Sequence, residues 1–103
     1  MEARKDPRFP VRLRSSRSAD DHPATNGTVL DLSLLGCRIG STTPVYPGMV
    51  FTLHMEVPGS EESIQIERAE VRWVRGEEFG LSFLAFTTKA YECLVEIIQQ
   101  LQL

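Results

Sequence analysis

The stretch Ser63-Ile64-Gln65-Ile66-Glu67-Arg68-Ala69-Glu70-Val71-Arg72-Trp73-Val74, with the Arg75-Gly76-Glu77-Glu78 and Phe79-Gly80-Leu81-Ser82-Phe83 that follow, decides the fold class. Ile64 and Ile66 occupy even positions, whereas Ala69, Val71 and Trp73 occupy odd ones. Each half alternates as a half-buried strand does. The change of phase between the halves is the signature of a β-bulge, placed near Glu67 and Arg68. Arg75 to Glu78 reads as a tight turn. Phe79, Leu81 and Phe83 then alternate with Gly80 and Ser82 in a returning strand. Two alternating runs around a short glycine-bearing turn make a β-hairpin.

The same period recurs upstream. Met49 to Val57 alternates cleanly, with Phe51, Leu53, Met55 and Val57 inward and Thr52, His54 and Glu56 outward. Cys37 to Ser41 places Cys37 and Ile39 on one side. Thr28 to Ser33 places Leu30 and Leu32 in the core, opposite Val29, Asp31 and Ser33. Phe9, Val11 and Leu13 alternate with Pro10, Arg12 and Arg14 in a first strand. Ser15 to Gly27 reads as a turn-rich loop, part of which can extend the flanking strands. Thr42 to Gly48 and Pro58 to Glu62 read as loops or turns. From Thr87 to Leu101 the period becomes helical, with a stripe of Leu94, Ile97, Ile98 and Leu101 joined by Ala90 or Tyr91, and Thr87 or Thr88 as cap. The expected fold is mainly all-β: a six-stranded antiparallel β-barrel with an N-terminal arm and a C-terminal α-helix.

Composition agrees with one soluble domain. The chain has 103 residues, 42% of them hydrophobic and 24% charged. No run approaches the roughly 18 apolar residues of a membrane span. Met1 to Asp6 lacks the apolar segment of a secretory signal, so a cytoplasmic location without membrane insertion is expected. The two cysteines, Cys37 and Cys93, lack metal-ligand spacing and read as small buried hydrophobes in a reducing compartment. Charge is uneven. Residues 1–17 carry six basic residues against two acidic ones, a net +4, while residues 18–103 carry five against twelve, a net −7. A basic arm on an acidic body either seeks an anionic partner or folds back onto the body.

Catalytic constellations are not found: His22 and His54 read as solvated surface histidines, and Glu61-Glu62 and Glu77-Glu78 as turn charge. Neither an enzyme, a metal nor a cofactor is expected. Binding chemistry is better represented. Arg4 and Arg8 present planar guanidinium forks suited to phosphate or to a guanine edge. Asp31 and Ser33, two apart on a strand, place a carboxylate and a hydroxyl on one face, able to accept from guanine's ring and exocyclic N–H donors. Gly36 supplies a backbone free to adopt positive φ or to admit a ligand. Equally, Asp31-Leu32-Ser33-Leu34-Leu35-Gly36 reads as an Asx or a serine turn capping a strand end. Arg38 projects opposite Cys37 and Ile39, toward the same site or toward solvent.

These elements in this order resemble the PilZ family of bacterial cyclic di-GMP receptors, in a stand-alone, single-domain form spanning 1–103. The resemblance rests on the RxxxR arm (Arg4-Lys5-Asp6-Pro7-Arg8), the DxSxxG element (Asp31 to Gly36), Pro47-Gly48, Ala69-Glu70-Val71-Arg72-Trp73 and Phe79-Gly80-Leu81-Ser82-Phe83. It implies a flexible ligand-binding arm over 1–10, a barrel over 11–86 and a helix over 87–103. It implies that Arg4 and Arg8 grip phosphates and guanine edges, that Asp31 and Ser33 read a guanine, and that Gly36 keeps the turn open. Lys5 and Trp73 are second-tier ligand contacts; Trp73 reads alternatively as a core aromatic. Ala3 stands where many members carry a further arginine, and Gly36 is single where others carry a pair. The number of ligands bound and the choice between monomer and homodimer stay open. The implied role is a receptor or adaptor that passes the signal to a protein partner, in motility or biofilm regulation. Two alternatives accompany it: a PilZ-fold interaction module that binds no nucleotide, and a nucleic-acid binder using the basic arm.

Overall fold

A computed structural model describes residues 7–19 and 22–102, His22 by its backbone alone. The strands are β1 (Phe9–Ala19), β2 (His22–Leu32), β3 (Gly36–Gly40), β4 (Val50–Glu56), β5 (Ser63–Arg75) and β6 (Glu78–Phe86), followed by helix α1 (Thr88–Leu101). All pairings are antiparallel, and the order β1-β2-β3-β6-β5-β4 closes into a barrel. This is the mainly-β architecture that the hydrophobic periods predict.

Closure depends on the segment read as a loop. Ser15, Ser16 and Arg17 pair with Gly27, Asn26 and Thr25 of β2, and on their other side with Met55, His54 and Leu53 of β4. The polar composition of Ser15 to Gly27 mimics a loop, but backbone pairing on both sides makes it sheet. Its inward side chains are unusual for a barrel interior: Ser15 and Arg17 continue the phase of Leu13 and are buried with it. Arg17 therefore belongs to the barrel interior and not to the exposed basic arm.

Two further departures come from bulges. The bulge expected near Glu67 and Arg68 is present, seen as register shifts against both β4 and β6. A second shift on β5, between Val71 and Trp73, turns Trp73 outward, so it is not a core aromatic; it is 38% exposed. On β2, the shift against β3 falls between Val29 and Asp31, leaving Leu30 as the extra residue. Val29 and Leu32 are therefore the core residues, and Leu30 is not fully buried, the reverse of what simple alternation gives for Val29 and Leu30.

The core draws from every strand, with Val29, Ile39, Leu53, Met55, Ile66 and Val71 essentially inaccessible. The β5–β6 connection is a two-residue hairpin loop in which Gly76, with φ 62°, takes the first position, as a type II′ turn requires. At the helix start the Thr87 hydroxyl accepts from the Ala90 amide at 3.1 Å, satisfying one of the free N–H groups of the first turn. Ala90, Leu94 and Ile98, four apart, are the buried stripe that rests on the barrel beside β5. Leu101 and Tyr91 stay exposed. Cys37 is buried as expected, whereas Cys93 is only partly so, and both are free thiols. Among the described residues no helix is long and apolar enough to cross a membrane.

Candidate ligand-binding site

The register of the barrel lays one transverse row across its outer surface. Pro10 pairs with Asp31, Asp31 with Arg38, Arg38 with Gly80, and Gly80 with Trp73. Residues far apart in sequence thus come to lie on neighbouring strands, and cross-strand neighbours on one face are within side-chain reach.

Asp31 is the hub of this row. Its Oδ1 accepts from Arg8 Nη1 at 2.9 Å, and its Oδ2 accepts from Arg38 Nε at 3.0 Å. Arg38 reaches on, Nη1 donating to Glu78 Oε1 at 2.7 Å. Hydrogen bonding to Asp31, and then to Glu78, raises the Arg38 pKa above its ordinary value. Two guanidiniums and two carboxylates therefore form one charge-balanced chain. The Asp31 side chain is 17% exposed and that of Arg8 is 41% exposed, so the pair sits at the surface and is open to exchange. Such an ensemble can trade its internal pairs for a ligand that brings both an anion and a planar N–H edge.

Ser33 has a different place from the one alternation gives it. The strand ends at Leu32 and the chain turns back, so Ser33 is fully buried and does not share an open face with Asp31. Its hydroxyl accepts from the amides of Leu35 at 3.3 Å and Gly36 at 3.1 Å, and lies 3.1 Å from the Gly36 carbonyl, to which it can donate. The Ser33 amide also donates to that carbonyl at 2.9 Å. The serine-turn alternative describes these bonds. Gly36 is not in the left-handed region, since among the described residues positive φ occurs only at Gly48, Gly59 and Gly76. What Gly36 provides is close approach: a Cβ there would overlap the Leu81 carbonyl of β6. The DxSxxG element therefore divides into a surface carboxylate and a buried turn that follows it.

Trp73 completes the row. Its indole lies over the Cα of Gly80, in the space a Cβ would need, and the Arg75 guanidinium stands 5.8 Å from the indole ring. Gly80 and Glu78 join this row although neither stands in the RxxxR or DxSxxG element. Glu78, solvated turn charge by its sequence setting, is instead an ion-pair partner of Arg38. Both sit on the outward phase of β6, opposite the buried Phe79 and Leu81, which is the signal that marks them. Arg4 and Lys5 lie outside the described residues. His54 is on the outer face, its Nε2 3.0 Å from Gln65 Oε1. Among the described residues there is no group of three or more metal-ligating side chains.

A family model, PilZ domain, matches residues 2–100, and the chain belongs to the PilZ domain family. Solved structures agree on the fold. The PilZ domain with c-di-GMP of YcgR from Escherichia coli is 18% identical, with a TM-score of 0.79, covering 98% of this chain and 92% of that one. The Bacillus subtilis inhibitor of motility MotI/DgrA is 18% identical with a TM-score of 0.75; the match covers 99% of this chain, which spans about half (53%) of that protein. The PilZ domain of CeSA from a cellulose-synthesising bacterium is 12% identical with a TM-score of 0.70, covering 93% of this chain and 98% of that one. No curated protein matches the chain.

Proposed function

We propose that this PilZ domain is a receptor for cyclic di-GMP, which it binds across the outer row centred on Asp31. The observation that carries the reading is the Asp31 carboxylate held between Arg8 and Arg38 at 2.9 and 3.0 Å, at the strand position where the family motif has its aspartate. The solved YcgR domain that shares the fold is described with that ligand, which supports the assignment. Arg8, joined by Arg4 and Lys5 of the arm, takes the phosphates and a guanine edge. Asp31 accepts from the N–H donors of a guanine. Ser33 and Gly36 act through the turn that aims Asp31, and the exposed face of Trp73 offers a platform for a purine. The bound row is then read by a protein partner. One named neighbour is an inhibitor of motility and another comes from a cellulose-synthesising bacterium, which supports an output of that kind.

The test is calorimetric titration with cyclic di-GMP beside cyclic di-AMP and GTP. Saturable binding to cyclic di-GMP alone is the expected result, and its stoichiometry gives the number of ligands per chain. No heat with any of the three at high concentration overturns the receptor reading in favour of a PilZ-fold interaction module.

A further inference from the structure

Arg17 is a buried cation whose surroundings, among the described residues, supply only neutral partners. It is 6% exposed, and among the described residues no carboxylate pairs with it. Among the described residues its Nη2 donates to the Ser41 hydroxyl at 3.4 Å and to the Thr43 carbonyl at 3.3 Å. These are long and go to neutral acceptors, whereas a charged partner draws such contacts to about 2.7–2.9 Å. The guanidinium carbon lies 5.1 Å from the Phe79 ring centroid and 5.6 Å from that of Phe51. The aromatic faces offset part of the lost hydration. Among the described residues, a fork of five N–H donors still has no anion to match it. Burial accordingly lowers its pKa from the ordinary arginine value.

The same guanidinium opens onto a cavity of about 390 Å³ at one mouth of the barrel. Its walls are largely apolar, among them Ala19, Pro23, Pro44, Val45, Met49 and Phe51. A concave apolar chamber of this size with one convergent charged group has the make-up of a small-molecule site. It is separate from the outer row, since Arg17 stands seven residues along β1 from Pro10, about 23 Å of extended strand.

We propose that this barrel mouth binds a small organic carboxylate with an apolar body, the carboxylate on the Arg17 guanidinium and the body against Pro44, Val45 and Met49. The guanidinium sets the sign of the ligand's charge, and the walls set its apolar character.

The experiment compares octanoate with octanol, its neutral counterpart, on the isotopically labelled full chain. NMR follows the Arg17 side-chain Nε–H signal and the backbone amides of Val45, Tyr46 and Met49. Octanoate is expected to move these signals saturably, at least about ten-fold tighter than octanol, the value of one charge-assisted contact. Arg17→Met is expected to abolish the preference for octanoate while leaving octanol binding in place. A buried cation exchanged for an apolar side chain of similar length commonly leaves a fold intact. Should Arg17→Met fail to fold, Arg17→Lys serves, with octanoate affinity expected to fall several-fold as the fork is lost. Equal affinity for octanoate and octanol, saturation by neither, or a preference that survives Arg17→Met overturns the proposal. So does a shift of the Arg17 signal in Asp20→Asn/Asp21→Asn protein without carboxylate, which would make the chain its own counter-ion.

Discussion

The indole of Trp73 occupies the space above Gly80 that a Cβ would need, one strand away on the barrel's outer face. An aromatic laid across a cross-strand glycine shields the backbone and is itself held flat. The register shift between Val71 and Trp73 is what brings the ring outward. Trp73 is the only tryptophan in the chain, so its emission reports this place alone. Saturating cyclic di-GMP is expected to change that emission. Gly80→Ala is expected to push the ring into water, shifting the free protein's emission to the red, and to cost about 1 kcal/mol of stability. Emission indifferent to bound ligand would place Trp73 outside the contact.

Gly36 is a case where packing rather than backbone freedom demands glycine. A Cβ would meet the Leu81 carbonyl, which is backbone held within the β3–β6 ladder and cannot swing aside. Gly36→Ala is therefore expected to destabilise by roughly 1–3 kcal/mol, as overpacking does. Ser33→Ala removes the acceptor for two amides and is expected to cost about 1–2 kcal/mol. Urea unfolding midpoints check both. Ser33→Ala should weaken cyclic di-GMP binding only as far as the turn no longer aims Asp31. A loss as large as that of Arg8→Ala would instead give the hydroxyl a direct contact.

Much of this molecule is legible in the sequence. Phe51, Leu53 and Met55 alternate without interruption, and the helix stripe of Ala90, Leu94 and Ile98 keeps its period, so those elements read directly. Asp31, Arg8 and Arg38 were visible as chemistry, and the register brought them together. What escaped reading shares two causes. A bulge adds one residue and inverts every later side chain, which misplaced Leu30, Val29 and Trp73. The strand from Ser15 to Ala19 is built of polar residues, and only long-range pairing with β4 reveals it as sheet. Glu78 escaped for a related reason: its partner, Arg38, is forty residues away.

The buried Cys37 thiol gives a pH dependence of defined sign. Burial, and then the charge of Asp31, push its pKa well above the ordinary value of 9.0. Below pH 9 the folded and unfolded states both hold the proton, and the contribution to stability is fully present. Above it the unfolded thiol ionises while the folded one does not, so stability falls with rising pH. The limiting slope is about 1.4 kcal/mol per pH unit. Unfolding free energies at pH 7.5 and 10 should therefore differ less in Cys37→Ala than in the wild type, although Cys37→Ala starts lower for its lost packing. Equal differences would show that the alkaline loss arises elsewhere.

The charge balance of the row sets how it answers a dianionic ligand. Arg8→Ala removes the guanidinium proposed for the phosphates and, among the described residues, leaves Asp31 paired with Arg38 alone. One or two charge-assisted contacts are lost, each about 1.5–3 kcal/mol, so binding is expected to weaken ten- to a hundred-fold or more. Asp31→Asn keeps the shape but replaces a two-oxygen acceptor by one oxygen and an N–H₂ group. It should lose affinity to a similar degree, and its selectivity for guanine over adenine should narrow. Glu78→Gln moves the other way. Glu78 is exposed on its outer side and holds Arg38 at 2.7 Å, so removing its charge leaves the row one unit more positive without touching the core. Cyclic di-GMP affinity is then expected to rise several-fold, with a steeper dependence on salt. Calorimetry on the three variants at two salt concentrations separates these effects. An affinity of Glu78→Gln unchanged from wild type would mean that Arg38 stays committed to Asp31 and that the ligand meets only the Arg8 end of the row.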